Sequence, residues 1–458
     1  MKSIGEIKFV DLFAGIGAFR LGFENACKEE GFEPKCVLTS EIKPYAITTY
    51  QANFEDHNFS GDISLIDPSK IRDFDILLAG FPCQAFSAAG KRDGFADTRG
   101  TLFFEIERIL KFKKPKGFIL ENVEGLVTHD RKSSKDKIGR TLTTILTKLN
   151  NLGYSVSWKV LNADDFGVPQ NRKRIFIVGA LDAEISLDGF GTSSVKLQEV
   201  LQSGLPVVDT KLSRLLTKSF SHAELEGKAI KDKRGGSTNI HSWDIGLKGK
   251  VTQNQKRLLE ALLRARRNKK WAIGKGIEWM DGMPLTLQEI QSFHDAPNLK
   301  KMLDDLVDKG YLSFEHPKEL KRSKVNGRSR SHRVPKLLSE KGYNIVSGKL
   351  SFDINSILDP KSICPTLVAT DLSRIAVSEK NGLRPLSDVE LLRLFGLPDD
   401  FKLVGSAVEK ADLIGNTVVV PVVEKIAIRL VETLFKDIDH SPAKYGVKTD
   451  QQLQLFQL

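Results

Sequence analysis

The chain has 458 residues and a mass of 51.0 kDa, with 40% apolar and 28% charged residues. This length is enough for two or three domains. The longest apolar runs, such as 175–180 and 418–423, have the length of a strand, whereas a bilayer crossing needs roughly 20 apolar residues. The first residues lack the apolar core of a secretory signal. We therefore exclude a membrane protein, a secreted disulfide scaffold and a wholly disordered chain, and we expect a cytoplasmic protein.

The four cysteines are Cys27, Cys36, Cys83 and Cys364. None forms a C-x-x-C pair, so the spacing predicts reduced thiols with neither a disulfide framework nor a metal site. Because a lone cysteine is usually a small buried apolar residue, we expect at most one or two of the four to be chemically active.

Positive charge is concentrated in the middle of the chain. The net charge is +11, and residues 181–360 alone contain 31 Lys and Arg against 22 Asp and Glu. Two basic clusters lie there, at 256–275 and 321–336. They indicate an anionic partner, although a solvated basic surface explains each cluster as well.

The first 180 residues alternate short apolar runs with helical patterns, which predicts a mostly parallel sheet covered on both faces. Such a sheet binds ligands at the carboxyl ends of its strands. The predicted strands are 7–12, 36–40, 75–79, 117–120, 155–161 and 175–179, and the predicted helices are 18–30, 46–54, 102–112 and 140–152.

The middle segment is irregular except at about 255–316. Helices are predicted at 255–267, 286–294 and 298–309, followed by a strand at 310–314. This order resembles a winged helix-turn-helix, which reads DNA grooves; an ordinary helical insert is the alternative. Later helices are predicted at 386–395, opened by a capping box at Ser387, and at 422–435.

A strand, a Gly-x-Gly turn and a helix follow one another at 9–19, with Gly15 and Gly17 in the turn. Glycines let the backbone approach a ligand, and Glu41 after the second strand can accept hydrogen bonds from ribose hydroxyls. The pattern favours a nucleoside-bearing cofactor, but the G-x-G-x-x-G fingerprint is incomplete and a tight structural turn is the alternative.

Cys83 follows Pro82 directly after the strand 75–79, where a thiolate would lie over the cofactor crevice. The next loop alternates glycines with Lys91, Arg92 and Arg99, which suits a mobile lid over a polyanion or a plain surface loop. Glu121 ends a neighbouring strand. Arg172 and Arg174 share a face of extended chain, so they can hold a phosphate, a carboxylate or a carbonyl oxygen.

In combination these motifs resemble the DNA (cytosine-5)-methyltransferases, in particular the bacterial modification enzymes of type II restriction systems. The resemblance covers about 1–180 and 362–436, and the middle insert corresponds to the variable target-recognition region. The blocks in family order are Asp11–Gly17, Glu41, Gly61–Ile63, Gly80–Gln84, Asp97–Phe103, Glu121–Val123, Gln170–Arg174, Arg384–Ser387 and Gly415–Val418.

The resemblance implies an α/β fold, the doubly wound Rossmann-like sheet of S-adenosylmethionine-dependent methyltransferases, with a smaller target-recognition domain. The implied divisions are a catalytic and cofactor-binding domain at 1–180, the target-recognition domain at 181–360, a return to the catalytic domain at 361–440 and a tail at 441–458. It also implies that the S-adenosylmethionine pocket is lined by Phe13, Gly15, Gly17, Glu41, Ile42, Asp62, Ile63, Pro82, Leu102, Asn416 and Val418. Ile42 departs from the aromatic that many relatives place over the adenine.

The resemblance also implies that Cys83 is the nucleophile, Glu121 contacts cytosine N3 and its amine, Arg174 contacts O2, and Arg172 holds the site together near phosphate and thiolate. DNA contacts are implied for Gln84, Ser87, Lys91, Arg92 and Arg99. A thiolate added at C6 makes C5 nucleophilic toward a sulfonium methyl, and the target base must first leave the duplex stack.

The predicted partner is therefore double-stranded DNA. We expect a monomer near the bacterial nucleoid, with a cognate restriction endonuclease as a further expectation. Two alternatives stay open: an RNA cytosine methyltransferase on the same fold, and a catalytically silent DNA-binding protein. A nicotinamide or flavin dehydrogenase fits least, because the glycine pattern is incomplete.

Overall fold

The computed structural model describes residues 5–55, 58–82, 102–133, 135–278, 282–325, 328–346 and 352–436, and of 322–325 and 328–330 it describes the backbone alone. The predicted nucleophile Cys83 and the predicted DNA contacts Gln84, Ser87, Lys91, Arg92 and Arg99 lie outside the described residues, as does the predicted tail.

A seven-stranded sheet organises the N-terminal part of the chain, in the order β3-β2-β1-β4-β5-β7-β6. Strand β7 runs antiparallel to both of its neighbours, and the remaining pairs are parallel. The six predicted strands are confirmed, and only the two-residue β3 was not predicted. The strands are β1 (Glu6–Leu12), β2 (Glu33–Ser40), β3 (Phe59–Ser60), β4 (Ile76–Gly80), β5 (Gly117–Val123), β6 (Ser155–Asn162) and β7 (Lys173–Ala180).

Helices cover both faces of this sheet, as the apolar runs predict. The predicted helices are confirmed as α1 (Ala18–Glu29), α2 (Pro44–Asn53), α3 (Leu102–Lys113) and α4 (Arg140–Asn151). Successive residues of β4 alternate between two cores, because side chains of a strand point to opposite faces. Ile76 and Leu78 pack with α1, whereas Leu77 and Ala79 pack with α3 and α4.

Part of the basic middle segment, 243–345, folds around its own apolar core, formed mainly by leucines of two helices. The predicted helices and strand are confirmed near their expected bounds, and the face of Leu299, Leu303 and Leu306 is buried. Strand β10 pairs with β13, and β11 with β12 forms a hairpin. The elements are α5 (Lys211–Ser219), α6 (His222–Leu225), β8 (Ala229–Ile230), β9 (Asn239–Ile240), α7 (Gln253–Ala265), α8 (Lys269–Gly274), α9 (Leu287–Gln291), α10 (Leu299–Asp308), β10 (Leu312–Glu315), β11 (Lys318–Val325), β12 (Arg328–Pro335) and β13 (Gly342–Ile345).

The last part of the chain packs back onto the first. Residues of α13 and α1 share one apolar core, and a Cβ on Gly22 of α1 would touch Val423 of α13. Three strands of this part join β8 and β9 in a five-stranded sheet. The elements are β14 (Ser356–Ile357), β15 (Ile375–Glu379), β16 (Gly382–Pro385), α11 (Asp388–Arg393), α12 (Ala407–Asn416) and α13 (Val420–Val431), with a π-helical turn at Glu432–Lys436. None of the described helices has the length and apolarity that a bilayer crossing demands.

Candidate active site

A cleft of about 430 Å³ opens at the carboxyl ends of β1, β2, β4 and β5, which is where a doubly wound sheet binds its ligands. Its volume suits a nucleoside-sized molecule. Segments from the first 180 residues and from 412–417 form its walls. The predicted site residues that line it are Phe13, Gly15, Glu41, Ile42, Asp62, Ile63, Pro82, Leu102, Glu121, Arg172, Arg174 and Asn416.

The turn after β1 shapes the floor of the cleft. Phe13 and Gly15 have φ angles of 56° and 55°, in the left-handed region. Gly15 donates its N–H to Oε2 of Glu41 over 2.8 Å. Apart from its two chain neighbours, no atom of the described residues lies within 4 Å of the position that a Cβ on Gly15 would take, so this face of the turn is open to a ligand.

Glu41 is held in place by backbone donors. Its Oε1 accepts the N–H groups of Ile42 and Lys43 at 2.8 and 2.9 Å, and its Oε2 accepts that of Gly15. A carboxylate has about four lone-pair sites, so the fixed group retains capacity for a hydroxyl donor. An acid after the second strand is the usual acceptor for ribose hydroxyls in such folds.

Apolar and polar groups alternate along the remaining wall. Ile63 and Leu102 supply apolar surface, and Asp62 lies beside them with its Oδ1 accepting the Ser64 N–H and hydroxyl at 2.9 and 2.8 Å. Ile42 is 68% exposed. A purine ring needs flat apolar contacts and polar partners at its edge, so these residues fit a nucleoside-bearing cofactor.

Two predicted cofactor residues, Gly17 and Val418, do not lie on the cleft wall. Gly17 has a φ of 87°, and a Cβ there would overlap the ring of Phe54. Val418 is buried in the core that also contains α1 and α13. In this structure both residues support the cleft from behind its wall, and their direct contact with the cofactor remains a prediction.

The two glycines should therefore respond differently to alanine. For Gly15→Ala we expect the added methyl group to enter the cleft and lower cofactor affinity about tenfold or more, at a strain cost of about 1–2 kcal/mol. For Gly17→Ala we expect a loss of roughly 2–5 kcal/mol in the free energy of unfolding, from strain and overpacking. Calorimetric binding and denaturant unfolding measure these effects. Wild-type cofactor affinity in Gly15→Ala would show that the open space is not the cofactor's.

Glu121 and Arg174 meet at one end of the cleft. Arg174 Nε lies 3.1 Å from Glu121 Oε1, and both side chains are largely buried. The pairing follows from the sheet, because β7 is antiparallel to β5 and sets Arg174 opposite Val123. Burial raises the pKa of Glu121, and the guanidinium groups of Arg174 and Arg172 oppose this shift. The carboxyl is thus favoured as a proton carrier beside a fixed cation.

Asn122 is a positioning residue that the sequence analysis did not single out, although it lies inside the motif 121–123. It is buried, and its Nδ2 donates to the Phe81 carbonyl over 3.1 Å. Its Oδ1 accepts the N–H of Val123 over 2.8 Å. Asn122 therefore ties the end of β5 to the chain two residues before Cys83.

Arg172 links the N-terminal part of the chain to segments of its C-terminal part. It is 3% exposed, and its guanidinium donates to the carbonyls of Leu367, Gly415 and Thr417 at 2.8–3.0 Å. The same group lies 5.1 Å from the centroid of the Phe395 ring. These contacts hold the C-terminal wall of the cleft against the N-terminal wall.

A second cavity, of about 760 Å³, borders the first. The two share Val123 and Arg174 in their linings, and Asn171, Lys173 and Thr366 line the second cavity but not the first. Arg174 thus lies between a nucleoside-sized cleft and a larger opening, and its partner Glu121 lines the cleft. Among the described residues, no three potential metal ligands of the His, Cys, Asp and Glu types come together.

The sheet order, its antiparallel β7 and the cleft at the strand ends are those of a Rossmann-like methyltransferase fold. The family model for C-5 cytosine-specific DNA methylases matches residues 7–432. The chain belongs to this family, which confirms the resemblance seen in its motifs. It is a DNA (cytosine-5)-methyltransferase with S-adenosylmethionine as the methyl donor.

Similar proteins include the type II methyltransferase M.NlaIV of Neisseria lactamica, which is 56% identical over 94% of this chain and 100% of its own length. M.BanI of Aneurinibacillus aneurinilyticus is 39% identical over 94% of this chain and 96% of its own. The S. pombe Dnmt2 methyltransferase has a similar fold, with a TM-score of 0.50 and 15% identity over 94% of this chain and 99% of that chain.

Proposed function

We propose that this enzyme methylates C5 of one cytosine within a short specific sequence of duplex DNA, through a transient bond between Cys83 and C6 of the base. The observation that carries the proposal is the largely buried Glu121–Arg174 pair, in which both residues line the cofactor cleft and Arg174 also lines the larger cavity. Pro82, which precedes Cys83 in the chain, lines the same cleft.

The chemistry assigned to the chain begins with the Cys83 thiolate, which adds to C6 and makes C5 an enamine carbon. Glu121 in its protonated form donates to N3 and stabilises the charge that develops there. Arg174 donates to O2 and holds Glu121 in line. After methylation, a base from solvent accepts the C5 proton. The electron pair of the C5–H bond re-forms the C5=C6 double bond, and the C6–S bond breaks to release the Cys83 thiolate.

S-adenosylmethionine, when bound, supplies an electrophilic methyl group. In this proposal the Gly15 turn accommodates the cofactor backbone, Glu41 accepts its ribose hydroxyls, and Asp62 with Ile63 and Leu102 contacts the base. Because the side chains of Glu121 and Arg174 are largely buried, the electrostatic interaction between them is stronger than it would be in bulk water.

The target cytosine cannot react inside a stacked duplex, and flipping it out costs a few kcal/mol. We assign the larger cavity beside Arg174 as the route by which the base enters. Lys173 and Asn171 line this route and are exposed, so they are suited to contact the flanking phosphates.

We further propose that 1–180 and 361–440 form the catalytic unit and that 181–360 is the target-recognition domain, with a winged-helix module at about 255–316. The net positive charge of 181–360 supports contacts between this segment and the DNA phosphates. The exposed residues Lys318, Lys321 and Arg333 of the hairpin β11–β12, which directly follows this module, support a basic DNA-facing surface beside it. A complex with DNA in which α9 and α10 face away from the duplex would count against the module as a groove reader.

The same proposal places the enzyme in the bacterial cytoplasm at the nucleoid, as a monomer, with a cognate restriction endonuclease that cleaves the unmodified site. Support comes from the type II methyltransferases to which the chain is similar.

The test is methyl transfer from labelled cofactor to a library of duplex DNA, to the same strands unpaired, and to tRNA, followed by bisulfite sequencing of the DNA. We expect 5-methylcytosine at one position of a single short duplex motif. Preferential labelling of tRNA would favour the RNA enzyme, and no labelling with intact cofactor binding would favour the silent DNA-binding protein.

A further inference from the structure

An ion pair spans the mouth of the cofactor cleft. Lys43 Nζ lies 2.5 Å from Asp412 Oδ2, and the Tyr45 hydroxyl donates to the same oxygen over 2.7 Å. Asn416 donates to Asp412 Oδ1 over 2.9 Å, which orients the carboxylate. Lys43 and Asp412 both line the cleft, and their side chains are 42% and 31% exposed.

The pair joins walls that the chain order keeps far apart. Lys43 follows β2 directly before α2, whereas Asp412 lies on α12, 369 positions away. The far end of α2 is fastened separately, because Thr49 bonds Val404 and Asn53 bonds Lys402. Within the described residues, the hydrogen bonds of Lys43 and Tyr45 to Asp412 therefore connect the cleft-facing end of α2 to α12.

The segment that contains Lys43 also holds Glu41, the predicted acceptor for the ribose hydroxyls. The N–H groups of Ile42 and Lys43 both donate to Glu41 Oε1. A movement of Lys43 away from α12 would therefore widen the mouth of the cleft and disturb two of the three donors that hold Glu41.

We propose that the Lys43–Asp412 pair, supported by Tyr45, is a latch that closes the cofactor cleft and sets the residence time of the bound cofactor. Its members are positioning residues, since they act by holding the walls together and orienting Glu41. The inference rests on the proposed cofactor site, but does not depend on which nucleic acid is methylated.

The charges of the latch should also affect the affinities of the methyl donor and of its product differently. S-adenosylmethionine carries a net positive charge at neutral pH, whereas its product S-adenosylhomocysteine is neutral. Removing the carboxylate of Asp412 leaves the Lys43 ammonium uncompensated at the cleft wall, which should disfavour the cationic ligand more. Removing the Lys43 charge should have the opposite effect on the ratio of the two affinities.

The experiment measures dissociation rates and affinities of both ligands with the full-length enzyme, without DNA, for Lys43→Met, Asp412→Asn and Tyr45→Phe. For the two charge variants we expect S-adenosylhomocysteine to dissociate about fivefold faster, with a smaller effect for Tyr45→Phe. The ratio of the affinities for S-adenosylmethionine and S-adenosylhomocysteine should fall in Asp412→Asn and rise in Lys43→Met.

The matched control is Lys410→Met, which removes another ion pair of α12, to Asp388 at 2.6 Å. Neither residue lines the cleft, so dissociation should stay at the wild-type rate. The charge-reversed double variant Lys43→Asp/Asp412→Lys should recover part of the slow dissociation. Unchanged rates in Lys43→Met and Tyr45→Phe, or equal acceleration in Lys410→Met, would overturn the latch.

The outcomes separate the latch from the proposed function. Slow release of the cofactor by the wild-type enzyme and faster release by the variants, without any methylation of DNA, would contradict the function and support the latch. Normal DNA methylation together with unaltered cofactor kinetics in the variants would contradict the latch alone.

Discussion

Replacing Cys83 by alanine is expected to abolish methyl transfer to duplex DNA and to leave cofactor binding intact. Without the thiolate, C6 is not attacked and C5 remains a poor nucleophile. The other cysteines offer no substitute, because burial raises the pKa of Cys27 and Cys364 to about 12 and that of Cys36 to about 11. A tritiated-methyl filter assay measures the transfer, and calorimetry the binding.

The matched control is Cys36→Ala. Cys36 is half-buried and lies outside the cleft lining, so this variant should retain methyl transfer. Turnover of Cys83→Ala within a few-fold of the wild-type rate would remove Cys83 from the mechanism.

For Glu121→Gln we expect the rate of methyl transfer to fall by roughly 10²- to 10⁴-fold, the usual contribution of a general acid or base. Glutamine preserves the volume beside Arg174 but cannot deliver a proton to N3. Single-turnover kinetics with saturating cofactor measures the effect. Glu107→Gln is the control, because Glu107 pairs with Lys148 at 3.0 Å outside the cleft lining.

The wild-type enzyme and Glu121→Gln should differ in the pH dependence of the methyl-transfer rate. Because burial raises the pKa of Glu121, its protonated and active form persists above the usual carboxyl range and is lost as pH rises through the raised pKa. The thiolate of Cys83 contributes the opposite limb, since its active form increases with pH. We expect Glu121→Gln to lack the alkaline limb; its persistence would assign that limb to another group.

The elements of the sheet could be predicted because their signals are local. The run at 175–179 is apolar throughout, as a strand buried on both faces must be, and it became β7. The strand order required the coordinates. So did the antiparallel direction of β7, which brings Arg174 to Glu121.

Contacts between residues that are far apart in the sequence leave no local sequence pattern, so they could not be predicted. The sequence analysis did not single out Lys43 or Asp412, which are 369 positions apart and are brought together by the fold. Likewise, Gly15 and Gly17 are equivalent as letters in a Gly-x-Gly turn. Their difference depends on Phe54, which fills the space beside Gly17 and leaves Gly15 open.

Trapping with duplex DNA that contains 5-fluorocytosine at the target position tests the central claim most directly. Fluorine replaces the C5 proton whose loss releases the enzyme, so the account predicts a complex that survives denaturation, forms only with the methyl donor, and yields a crosslinked peptide containing Cys83. An enzyme that methylates ordinary duplex DNA but forms no such complex, or forms it through another residue, would contradict the account.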